Sequence, residues 1–195
     1  MQLKNLTTNF LGISSYFYKK IDSTQDEIWR RIKNGKINNG TLIMADIQEN
    51  GRGTHGRVWH TDEEKNIAFS FFIELNCNIK KIEGVTIDIA EIILDILKED
   101  YKIELEIKQP NDIVYHAKKV GGILTETKLV RDNVKYLIVG IGINTNQTDF
   151  DNLEIKDIAS SIKIECKKEV DNNKVIFEFI KEFEKCLEER IKNKK

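Results

Sequence analysis

Cysteine is scarce in this chain of 195 residues: Cys77, Cys166 and Cys186 are odd in number and widely spaced. That excludes a disulfide framework and a zinc site of paired cysteines, and it suits a reducing, cytoplasmic setting. The three histidines, His55, His60 and His116, do not fall at metal-ligand spacing, and no Ser-His-Asp arrangement surrounds them. Zinc chemistry and triad-type nucleophilic catalysis therefore lack machinery. No apolar run approaches the roughly 18 residues of a membrane span, and residues 1–6 hold no apolar signal core, so a soluble protein without a membrane partner is expected. Excess charge of one sign is missing too. Lysine plus arginine number 31 against 32 acidic residues, which removes any whole-protein attraction to nucleic acid and leaves only local patches.

What is present fits one domain over 1–195, with 40% hydrophobic residues to fill a core. A strand through Tyr16, Phe17 and Tyr18 should lead into a helix that Ser23 or Thr24 caps, with Asp26 and Glu27 favouring its dipole. Gly35 ends that helix after Lys33. Strands are expected over 41–48 and 67–75, the latter so continuously apolar that it reads either as a central strand buried on both faces or as one buried face with aromatic spill-over. Ile89, Ile92, Ile93, Ile96 and Leu97 recur at helical spacing. Four strand-like segments follow, at 103–108, 112–115, 120–128 and 135–143, and their short turns imply antiparallel pairing. Ile176, Phe179, Ile180, Phe183 and Leu187 mark a last amphipathic helix, and residues 190–195 read as a frayed, solvated end. No repeat or linker interrupts the chain.

Chemistry concentrates in a few places. Gln48 to Trp59 combines Gly51, Gly53 and Gly56 with Arg52 and Arg57, a mobile cationic loop able to clamp a small anion. Its glycines satisfy the dinucleotide-binding pattern, but no helix-period run follows Gly56, and no kinase segments occur later. The one proline sits in Lys108-Gln109-Pro110-Asn111-Asp112, a turn by default. Lys119 precedes Gly121 and Gly122, where either a ligand approaches closely or the strand bulges. Gly140 and Gly142 strip one strand face of side chains, so that something flat lies there or a helix packs tightly. A cationic glycine loop, a lysine beside bare glycines and an Asn-Asp corner together suit acyl-phosphate chemistry with a magnesium-bound nucleotide.

These blocks, in this order, closely resemble the catalytic domain of biotin protein ligases, also called biotin–[acetyl-CoA-carboxylase] ligases. The resemblance rests on Asp22-Ser23-Thr24-Gln25, Gln48 with Gly51 through Trp59, Lys108 through Asp112, Lys119-Val120-Gly121-Gly122-Ile123-Leu124-Thr125-Glu126, and Gly140 through Asn144. It implies an α+β fold with a mixed, largely antiparallel sheet and helices packed on one face. It also implies a two-step activity: biotin and ATP form biotinoyl-5′-AMP and pyrophosphate, and the biotinoyl group then passes to a lysine of a biotin carboxyl carrier protein. The family pattern assigns Ser23, Thr24, Gln25, Gln48, Arg52, Gly53, Thr54, Lys119 and Gly122 to biotin. Arg57, Trp59, Asn111, Asp112, Lys119 and Asn144 go to the nucleotide, which brings Mg2+ with it. Lys119, Arg52 and Asp112 carry catalysis, with Asp112 also the candidate for deprotonating the acceptor lysine.

Three positions depart from the family pattern. Thr54 replaces a usual loop arginine, so weaker retention of the adenylate is expected, while Gln109 and Gln25 replace a usual aromatic residue and a usual asparagine. The resemblance further implies a form without the N-terminal winged-helix DNA-binding domain, hence without a repressor role, and without the small C-terminal β-barrel. A homodimer through a sheet edge stays open. The alternatives weighed are a lipoate or octanoate ligase or transferase of similar fold, whose arginine-rich double-glycine loop is not found here, and a nucleic-acid module using Arg52, Arg57 and Trp59.

Overall fold

The computed structural model of the protein describes residues 6–150 and 155–193. In chain order its elements begin with β1 (Ser15–Ile21), α1 (Thr24–Lys33), β2 (Leu42–Gln48), β3 (Gly51–Arg52), β4 (Val58–Trp59) and β5 (Asn66–Asn78). Then come α2 (Val85–Tyr101), β6 (Glu106–Lys108), β7 (Asp112–Tyr115), β8 (Lys118–Val130), β9 (Asn133–Asn144), α3 (Ile162–Cys166) and α4 (Asn172–Asn193). Seven strands form one sheet in the order β1-β2-β5-β9-β8-β7-β6, and β3 pairs only with β4. β1 and β2 run parallel because α1 carries the chain back between them, and every other neighbour is antiparallel. The expected α+β architecture with a mixed, largely antiparallel sheet is what forms, but the expectation of helices on one face is corrected: α1 packs on the side opposite α2 and α4.

The two faces of the sheet follow from strand alternation. In β9, Leu137, Val139, Ile141 and Ile143 point to one side, where they join Phe69, Phe71 and Ile73 of β5. Against that side lie α2 through Ile89 and Ile93, and α4 through Phe179 and Phe183. The Phe71 and Phe183 ring centroids are 5.2 Å apart, and each such buried ring contributes on the order of 1.5–3 kcal/mol. The opposite side holds a smaller cluster, Ile43, Phe72, Tyr136 and Ile138, covered by Ile28 of the short helix α1. Gly140 and Gly142 continue this second face, with Gly140 under Gln25 at the start of α1. There the site forms.

Some local expectations shift. The strand expected over 103–108 is shortened to β6, because Lys102 turns left-handed (φ 55°) at the end of α2 and Ile103 and Leu105 are buried in the core instead. The end read as frayed from residue 190 is corrected. α4 runs on to Asn193, and Arg190 is only 12% exposed, paired with Asp88 of α2 and donating to the Glu83 carbonyl. An ion partner across the helix pair holds that turn. Residues 194–195, and most of the lead-in at 1–5, lie outside the described residues. Among the described residues no helix is long and apolar enough to cross a membrane.

Candidate active site

The bare strip on β9 is covered by the chain's own Trp59. A Cβ at Gly142 would stand well inside van der Waals contact with the indole, 2.5 Å from its Nε1, and one at Gly122 would be 3.4 Å from Cζ3. Trp59 gets there because the glycine loop closes on itself. Gly51 pairs with Trp59 and Arg52 with Val58, the Gly53 N–H donates to the Arg57 carbonyl at 2.8 Å, and His55 and Gly56 turn through positive φ. The stretch read as a mobile clamp is thus a small ribbon folded over the sheet.

Arg52, at the base of this ribbon, is tied to α1 and β8. Its guanidinium donates to both Glu126 oxygens, at 2.7 and 3.2 Å, and to Asp26 Oδ1 at 3.0 Å. Glu126 also accepts from Gln25 Nε2 (2.8 Å) and Trp29 Nε1 (2.9 Å). Burial alone would raise the Glu126 carboxyl, but the hydrogen bonds from Trp29, Gln25 and Arg52 outweigh it and hold the group below its ordinary value. With the folded-state value depressed, this tether is at full strength above the ordinary carboxylate range and is lost as pH falls through the depressed value. The melting temperature of wild type should therefore drop more steeply with acid than that of Glu126→Gln. Parallel acid limbs in the two proteins would contradict the tether.

Lys119 sits where β8 bulges: Ile113 pairs with Gly121 but Val114 pairs with Lys119, leaving Val120 as the extra residue. Its backbone is pinned by Lys119 N–H to the Ile158 carbonyl (2.8 Å) and by the Ser160 N–H to its own carbonyl (2.9 Å). The side chain lies across bare Gly122, where a Cβ would be 3.3 Å from Nζ. Nζ pairs with Asp112 Oδ1 at 2.6 Å and stands 5.7 Å from the Trp59 ring centroid. The bulge reading holds, with Val120 as the extra residue, and the space over Gly122 is taken by the chain's own amine.

Two cavities meet at this lysine. The first, about 440 Å³ of empty space partly open to solvent, lies over Gly140 and Gly142, with Thr24, Gln25, Gln48 and Asn111 in its wall. The second, about 1590 Å³ of empty space that includes open solvent, is more apolar and lies under the other side of the ribbon, walled by Arg57, Asn144, Phe150, Ile155 and Ile158. Gly53, Thr54, Trp59 and Lys119 border both.

The structure brings most of the sequence candidates together. Thr24, Gln25, Gln48, Arg52, Gly53, Thr54, Trp59, Asn111, Lys119 and Gly122 surround the first cavity, while Arg57 and Asn144 face only the second. Ser23 and Asp112 line neither. Ser23 is fully buried and caps α1 by accepting from the Asp26 N–H, a role worth about 1 kcal/mol. Asn144 braces the sheet with both ends of its amide, accepting from Asn66 Nδ2 at 3.0 Å and donating to the Ser160 carbonyl at 3.1 Å. Glu126, Asp26, Trp29 and Ser70 were not among the candidates. Glu126 shares strand parity with Gly122, a signal that places it on the same face of β8.

The family model for the biotin/lipoate A/B protein ligase family matches residues 17–144, a span that contains every candidate residue named above. The chain belongs to this family. Among fellow members, the bifunctional ligase/repressor BirA of Bacillus subtilis is 35% identical over 182 residues, which cover 92% of this chain and 55% of that protein. The biotin–[acetyl-CoA-carboxylase] ligase of Mycobacterium tuberculosis is 25% identical over 129 residues, 64% of this chain and 47% of that one. This ligase-family chain thus spans about half the length of the curated relatives it matches. Among solved structures, the biotin protein ligase of Aquifex aeolicus in complex with biotin and ATP superposes with a TM-score of 0.75 at 32% identity, covering 93% of this chain and 73% of that one.

Proposed function

We propose that this ligase-family chain is an ATP-dependent biotin–protein ligase. It joins biotin to ATP as biotinoyl-5′-AMP with release of pyrophosphate, then passes the biotinoyl group to a lysine of a biotin carboxyl carrier domain. The observation that carries this reading is the meeting of two cavities at Lys119. A polar, glycine-floored cleft suits the acid, a larger cavity beneath the ribbon suits the nucleotide, and one amine borders both. The Aquifex relative, solved with biotin and ATP, supports the same pairing of ligands.

In this reading the biotin carboxylate oxygen attacks the α-phosphorus and pyrophosphate leaves. Lys119 neutralises charge that grows on the α-phosphate oxygens, the kind of positioned electrostatic stabilisation on which phosphoryl transfer depends. Asp112, 2.6 Å from Nζ, orients the amine, and in this reading it takes a proton from the acceptor lysine in the second step. Arg57 and Trp59 serve the nucleotide side, and Arg52, Gly53 and Thr54 form the cover. A Mg2+ ion would enter on the nucleotide phosphates.

Thr54 borders both cavities with a short neutral side chain, so the adenylate should dissociate faster from wild type than from Thr54→Arg. Equal dissociation rates would show that position 54 does not hold the intermediate. The function itself is tested by incubating the protein with ATP, Mg2+ and either biotin, lipoate or octanoate. Acyl-adenylate and pyrophosphate are expected with biotin. Formation with lipoate or octanoate alone would overturn the reading in favour of the other branch of the family.

A further inference from the structure

β9 ends at Asn144, and the ladder beside Lys119 is completed by another part of the chain. Gly121 pairs with Ile143, so a continued register would set Lys119 opposite Thr145. The Thr145 hydroxyl turns instead to Asn172 Oδ1 at 2.7 Å, and Ala159 takes the vacated place, bridging to Lys119 in parallel. Residues 158–160 thus stand in for β9 at the lysine. Asn144 joins the strand to its substitute: its Nδ2 donates to the Ser160 carbonyl, and the Ser160 N–H donates to the Lys119 carbonyl. Across the ladder from Asn144 stands Asn66, the first residue of β5, which is 5% exposed and borders neither cavity at Lys119. The Asp62 N–H can only donate, so Asn66 turns Oδ1 to it (2.8 Å) and presents Nδ2 to Asn144 Oδ1 and Gln147 Oε1, both at 3.0 Å. The Ser160 carbonyl can only accept, so Asn144 must offer it Nδ2 and keep Oδ1 for Asn66. A backbone donor at one end and a backbone acceptor at the other leave neither amide free to turn over.

We propose that Asn66 is a positioning residue for adenylation: through Asn144 and Ser160 it holds residues 158–160 against Lys119 and so sets where the amine meets the α-phosphate. The proposal rests on the ligase reading and deepens it with a residue that touches no ligand. Lys119 lies at a bulge, where its backbone is held by Val114 on one side and by Ala159 on the other. If residues 158–160 drift, the bulge keeps a neighbour on one side only, and the direction of the lysine stem is no longer fixed. The network suits this task because every amide in it is buried and bonded, and a fully satisfied buried network specifies one geometry. Its effect has a side. Ile158 and Ala159 wall the second cavity, whereas the first shares only Lys119 with this chain of contacts.

The test is Asn66→Asp in the full chain, a change of nearly identical shape. The new carboxylate still accepts from the Asp62 N–H but has no donor for Asn144. Either the two oxygens repel, or the Asn144 amide turns over and loses Ser160. Single-turnover formation of biotinoyl-AMP at saturating ATP should slow by about ten- to hundredfold, the effect of a small misplacement of a reacting group. Biotin affinity, read by calorimetry without ATP, should stay within about twofold, as expected of sites that share no partners. A raised KM for ATP with an unchanged rate at saturation would make Asn66 a brace of the cavity wall alone and overturn the proposal. An unchanged rate and KM, or biotin affinity falling in step with the rate, would overturn it as well. Each of these results leaves the ligase reading intact. Should Asn66→Asp fail to fold, Asn66→Ser, which removes the amide without adding charge, decides by the same readouts. A wild type that forms no acyl-adenylate from biotin would instead overturn the ligase reading itself.

Discussion

Lys119→Met is expected to slow acyl-adenylate formation by about a hundred- to a thousandfold, the usual consequence of removing one positioned donor from a developing oxyanion. The amine is placed for that effect by three independent features. The bulge at Val120 shifts Lys119 by one position against β7, bare Gly122 lets its stem lie flat, and Asp112 holds Nζ at 2.6 Å. The side chains of Lys119 and Asp112 are 26% and 23% exposed, so solvent screens the pair and its loss should cost little stability. Quench-flow measurement of a single turnover separates the chemical step from binding. A rate within about threefold of wild type would remove Lys119 from the adenylation step, since only an interaction stronger in the transition state than in the bound state alters that rate.

Gly142→Ala is expected to weaken biotin binding by about ten- to hundredfold, matching the roughly 1–3 kcal/mol of overpacking a well-filled site. The added methyl would meet the Trp59 indole well inside contact distance, and an indole held by a paired ribbon cannot swing away as a flexible side-chain tip can. The ribbon must lift, and the floor on which the acid lies is raised by one carbon. Two readouts should move together: biotin affinity falls, and tryptophan emission shifts to the red as Trp59 becomes more exposed. Unchanged affinity with unchanged emission would show that β9 is not the floor of the acid site.

Much of this arrangement was legible in the sequence because it depends on strand parity. Alternation in residues 135–143 separates Leu137, Val139 and Ile141 from Gly140 and Gly142, which foretold one packed face and one bare face. The order of the glycine loop, the lysine with its glycines and the bare strand then pointed to an acid and a nucleotide. What sequence did not give is register. Leu124 pairs with Gly140 and Glu126 with Ile138, and only that pairing brings Glu126 beneath Arg52 and beside Gln25. The packing of α1 on the face opposite α2 and α4 was hidden for the same reason, since an amphipathic helix declares that it has an apolar side and not which sheet face receives it. Arg190 joined α2 through Asp88, a partner about a hundred residues earlier in the chain that terminal composition could not reveal.

The most direct measurement is a crystal structure of the protein with biotin and a non-hydrolysable ATP analogue. The expected result places biotin along the Gly140–Gly142 strip, Trp59 lifted from Gly142, and the carboxylate and α-phosphate converging on Lys119 Nζ. Biotin bound away from the Gly140–Gly142 strip, or an acid and a nucleotide that do not meet at Lys119, would contradict it.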